Sequence, residues 1–122
     1  MRLPSVRFTV RRIMVAVAIM AVFFGAADGL RRRRGSFGQQ ARKWQRMASA
    51  EYIASLSVVQ HTTFGPSPLE LRISEAHYQL ADHYWALKEK YERAASAPWI
   101  PVEPDPPAPE WPSDLREFRN LR

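Results

Sequence analysis

The chain has no cysteine among its 122 residues. That excludes a disulfide framework, a thiolate metal site and a cysteine nucleophile. It also lacks the spaced motifs of the common chemistries. There is no HExxH helix, no glycine-rich phosphate loop, no GxSxG elbow and no paired-carboxylate motif. The three histidines are His61, His77 and His83. His77 and His83 stand six apart and fall on different faces of a helix, and Glu75 is too near His77 in sequence to face it. These absences predict a protein that is not an enzyme, with no cofactor, no metal and no small-molecule substrate. Acidic residues are nearly missing from the first 46 positions, which hold eleven Lys/Arg and only Asp28 as an acid, net +10. Residues 47–122 hold seven Lys/Arg and eleven acids, net −4. The basic character therefore belongs to one end, and reading the whole chain as a nucleic-acid binder would misread an average.

What is present is an apolar run, IMVAVAIMAVFFGAA, at residues 13–27, with no charge, amide or proline. Arg11 and Arg12 close it on one side; Asp28, Gly29, Leu30 and then Arg31, Arg32, Arg33 and Arg34 close it on the other. From arginine to arginine, residues 13–30 make about 27 Å of helix. That just spans a hydrocarbon core of about 30 Å if the arginines snorkel to the headgroups. A core helix of a small soluble domain would show a polar face, and this run has none. The stretch therefore predicts a transmembrane anchor over 13–30. A cleaved signal peptide is the alternative, with Gly25 and Ala27 as the small residues of a cleavage site. The four arginines directly beyond resist translocation and favour a retained anchor. Seven basic residues follow the run within the next dozen or so positions, counting Arg42, Lys43 and Arg46, against four before it. This favours a cytoplasmic body by a small margin.

The basic segment should attract anionic headgroups around Arg31, Arg32, Arg33 and Arg34, at about 1 kcal/mol per residue near the surface. Binding nucleic acid through the same segment is a weaker reading, because only Phe37 and Trp44 are available to stack on bases.

Gly35 and Gly38 predict a loosened linker over 31–38. A helix follows over 39–60, with Trp44, Ala48, Tyr52, Leu56 and Val59 recurring at helical spacing. A break falls at 61–68, where Gly65, Pro66 and Pro68 cannot continue a helix and Ser67 can cap the next. Residues 69–95 read as the strongest helix of the body. Ile73, Leu80, Leu87 and Ala94 lie seven apart, and His77, Tyr84 and Tyr91 follow at an offset of four. The two helices together predict an antiparallel hairpin over 39–95. A homodimer through the second helix is the competing use of that seam.

From residue 98 the chain reads PWIPVEPDPPAPEWP, seven prolines in fifteen residues. Helix and sheet are both disfavoured there, and an extended polyproline strap over 96–112 is expected. Pro98, Trp99, Pro101, Pro104, Asp105, Pro106 and Pro107 are its candidate interaction residues, with Trp99 expected to pack on the region of Tyr84, Trp85 and Tyr91. A short helix or tail would end the chain over 113–122, with Leu115, Phe118 and Leu121 on one face.

Three stretches carry a resemblance: Arg7-Phe8-Thr9-Val10-Arg11-Arg12-Ile13-Met14, Lys90-Tyr91-Glu92-Arg93-Ala94-Ala95, and residues 98–107, PWIPVEPDPP. Together they resemble a family of short, uncharacterised bacterial single-pass membrane proteins with an RFTxRRxM start and a KYxxAAxxxPWxPVxPDPP end. The resemblance implies a bacterial cell-membrane anchor and a defined tail, and no activity. The expected fold is mainly α, with one transmembrane helix, a helical hairpin and an extended proline-rich tail after a basic segment at 1–12. The expected function is that of a membrane-anchored interaction or scaffold protein with a protein partner. Its rivals are an exported helical protein and a binder of anionic surfaces or nucleic acid.

Overall fold

In a computed structural model, which describes residues 10–60 and 65–120, the chain is mainly helical. Two α-helices, α1 (Val10–Gln60) and α2 (Pro68–Ser96), are followed by a 3-10 helix, Ser113–Asn120. Residues 1–9, 61–64 and 121–122 lie outside the described part. So do most of the basic N-terminal segment, Arg7, Phe8 and Thr9 of the resemblance, His61 and Leu121.

α1 runs without interruption for 51 residues, about 77 Å. The linker expected at 31–38 is helix. Gly35 and Gly38 each cost about 1 kcal/mol relative to alanine in a helix interior, but no proline lies between Pro4 and Pro66 to force a break. The second half of the helix is also packed against α2, which holds it beyond what propensity alone would give.

α2 starts where the capping chemistry puts it. The Ser67 hydroxyl accepts from the Glu70 backbone N–H at 3.2 Å, the Glu70 carboxylate accepts from the Ser67 N–H at 2.7 Å, and Pro68 occupies the first turn. Gly65 supplies the left-handed backbone of the preceding turn, at φ +87°.

The helices run antiparallel in heptad register. Phe37 meets Tyr91, Trp44 stacks on Tyr84, and Glu51 meets His77. Each step of seven along α1 is matched by a step of seven back along α2. At the far end the Ser74 hydroxyl donates to the Ser55 carbonyl at 3.1 Å. Ile73, Leu80, Leu87 and Ala94 are all buried on α2, and Ala41, Ala48 and Ser55 are buried on α1. Small residues on one helix thus sit level with large ones on the other, which lets the backbones approach.

The α1 seam differs from the expected one. Tyr52 and Leu56 are 45% and 44% exposed, while Ala41 and Ser55 are buried. A row of every fourth residue drifts by about 40° per step around a helix, so 44, 48, 52 and 56 walk off the contact face. Alternating steps of three and four stay on it.

Candidate membrane interface and interaction surface

Among the described residues, nothing covers the apolar half of α1. Every residue from 10 to 36 is exposed, including Val15, Phe23 and Phe24. This is one helix long and apolar enough to cross a membrane, near the N-terminus. Arg11 and Arg12 lie in its first turn. Arg31, Arg32, Arg33 and Arg34 occupy four successive helical positions about 100° apart, so they encircle the axis. Arg32 pairs with Asp28 at 2.9 Å, one turn below, and the Arg33 guanidinium lies 5.6 Å from the Phe37 ring centre. The ring of charge is therefore tied at its lower edge to Asp28, just past the apolar run, and at its upper edge to the first layer of the hairpin.

Past α2 the backbone makes a turn over residues 97–100, with the Ile100 N–H donating to the Ala97 carbonyl at 3.0 Å. Residues 101–112 then carry neither helix nor strand. Two clamps hold this segment against α2. Asp105 accepts from Lys90 Nζ at 2.7 Å and from the Tyr91 hydroxyl at 2.9 and 3.0 Å. Trp111 meets the His77 ring edge-on, with centres 4.8 Å apart, and its indole N–H donates to the Leu115 carbonyl at 2.8 Å. Leu115, only 1% exposed, is the buried residue of the 3-10 helix, and the neighbouring Asp114 pairs with Arg72 of α2 at 2.6 Å.

The clamps shift their own titrations. Burial pushes the Tyr91 hydroxyl up, and the bond to Asp105 and its charge push it further. Burial alone would raise the Asp105 carboxyl; the hydrogen bonds from Lys90 and Tyr91, with the Lys90 and His83 charges, outweigh it and hold the group below the usual carboxylate range.

Of the expected interaction residues, Pro98 is buried and Asp105 is engaged, while Trp99, Pro101, Pro104, Pro106 and Pro107 are exposed. Trp99 does not pack on Tyr84, Trp85 or Tyr91. It is 67% exposed at the crest of the turn, because Pro98 takes the inward position and the turn directs the next side chain away. The tryptophan that does reach the hairpin is Trp111. The α2 seam offered to a second copy is occupied by α1 of the same chain.

Among the described residues no cluster of three or more His, Asp or Glu could hold a metal ion. His77 is engaged instead by Glu51, 2.6 Å from its Nδ1. No protein-family model matches this chain, and neither a curated protein nor a solved structure does.

Proposed function

We propose that this chain is a non-enzymatic, single-pass membrane-anchored interaction protein of the bacterial cell membrane, with its body on the cytoplasmic side. One observation carries the reading. α1 is a single helix whose apolar half is left exposed on every face by the described residues, while its other half is packed by α2 and the tail. Soluble chains rarely leave a run of that size in water, and apolar patches beyond a few hundred Å² commonly mark an interaction site or a membrane. With residues 13–30 in a bilayer, the arginine ring lies at headgroup level and its partners there are anionic lipids.

The unbroken helix then acts as a stalk. From Arg34 to Gln60 it rises about 39 Å. The hairpin stands upright on the membrane and presents the outer faces of α2 and the extended proline-rich strap to a protein partner. Glu103 and Glu110 are exposed on that strap. Arg42 and Arg46 are 12 Å or so and more above Arg34 along the axis, beyond the Debye length of about 8 Å at physiological salt, so they suit an acidic protein surface better than headgroups.

Fractionation with protease accessibility tests this. A C-terminally tagged chain should stay with the membrane through carbonate washing, with its tag protected in intact spheroplasts. Release as a shortened soluble protein would overturn the anchor, and an accessible tag would place the body on the outer side.

A further inference from the structure

We propose that the turn at residues 97–100 is a second membrane contact, in which Trp99 and Ile100 insert into the headgroup–acyl boundary of the bilayer that α1 crosses. The inference rests on the anchor reading above and adds a lipid-binding site to it.

The placement follows from contacts on both sides of the turn. α2 descends toward the apolar run of α1, with Tyr91 opposite Phe37. In the same register its last residue, Ser96, comes level with Arg32. The chain then reverses and climbs again, since Asp105 is back beside Lys90 and Tyr91, and Trp111 is beside His77. The turn is thus the lowest point of the body, at the level of the arginine ring.

The chemistry of that point is interfacial. None of residues 94–102 is charged. Trp99 is 67% exposed and Ile100 54%, adjacent at the crest, while Pro98 is buried behind them and the hydrogen bond from Ile100 to Ala97 fixes the turn. An indole presents an apolar ring and one N–H donor, the combination favoured where hydrocarbon meets headgroups. The exposed Arg93 stands just above, as a basic residue over an inserted apolar tip does. An amphipathic element of this kind sits about 5–10 Å into the boundary. The same site explains why Trp99 is left out of the hairpin core.

The absence of cysteine makes the test direct. The full chain carries one nitroxide-labelled cysteine at a time, at Ile100, Ile19 or Glu75, in bilayer nanodiscs of mixed zwitterionic and anionic phospholipid. Collisions with oxygen, which concentrates in lipid, are compared with collisions with a water-soluble nickel chelate. The Ile19 label should report hydrocarbon and the Glu75 label water. The Ile100 label should show an oxygen-to-nickel ratio several-fold above that of Glu75, falling toward it when Trp99→Ser is added. An Ile100 label that matches Glu75 while Ile19 stays in hydrocarbon would overturn the contact and leave the anchor standing. Shielding of Ile100 from both reagents would overturn it in favour of a protein contact. Nickel access at Ile19 would overturn the anchor and this inference with it.

Discussion

His77 Nδ1 lies 2.6 Å from the Glu51 carboxylate, across the hairpin and half-buried between α1, α2 and Trp111. The pair joins three elements at one point. Glu51→Ala removes the acceptor and leaves a half-buried ring N–H without it, at a cost of about 1–3 kcal/mol. Denaturant melts of the full chain in micelles, followed by tryptophan emission, should show that loss, and Glu51→Gln should recover part of it. Equal stability of wild type and Glu51→Ala would mean the pair contributes nothing.

Leu87 is 2% exposed in the α2 seam. Leu87→Asp places a charge there with no partner, a change that costs well over about 4 kcal/mol in such sites. The hairpin should separate, with α2 helicity lost by circular dichroism. Unchanged ellipticity and melting would show that the seam is not a core.

Trp44 Nε1 is buried without a hydrogen-bond partner among the described residues, although its ring stacks on Tyr84 at 5.7 Å. Trp44→Phe keeps a ring and removes the orphan donor, so it should change stability by less than about 1 kcal/mol. Trp44→Ala should cost about 3 kcal/mol. The contrast between the two melts checks whether the stack or the indole N–H matters.

The Asp105 clamp predicts loss of stability at both pH extremes. Its carboxyl titrates below its unfolded value of about 3.9, so its contribution is present above that pH and fades as pH falls through the lower folded value. Tyr91 titrates above its unfolded value of about 10, so its contribution is present below pH 10 or so and is lost as pH rises through the folded value. The Asp105 side chain is about a third open to water, which screens the pair and holds its worth near 1 kcal/mol or less. Asp105→Asn should flatten the acid limb of stability against pH. An unchanged acid limb would assign that dependence to other carboxylates.

The heptads of α2, its Ser67 cap and the apolar run were legible in the sequence because each is a local pattern with one physical meaning. The α1 seam was less so. Ala41, Ala48 and Ser55 are small and carry no apolar signal of their own, whereas Tyr52 and Leu56 draw attention while pointing outward. Helix through Gly35 and Gly38 was not legible either, since packing by α2 overrides the local cost. In the tail, the prolines account for the lack of helix and strand over residues 101–112, but nothing local marks Asp105 or Leu115 as fixed points. Asp105 depends on Lys90 and Tyr91, 15 and 14 residues back along the chain, which only the reversal of the chain after α2 brings near.

The stalk requires α1 to be one helix from the apolar run into the hairpin. Pulsed electron paramagnetic resonance on a Met20→Cys/Ala50→Cys chain, spin-labelled in lipid nanodiscs, measures this directly, because both positions are exposed. An unbroken helix predicts a narrow distance distribution centred near 45 Å. A broad distribution, or one centred well short of that, would mean a hinge at the arginines and glycines, and would contradict the stalk.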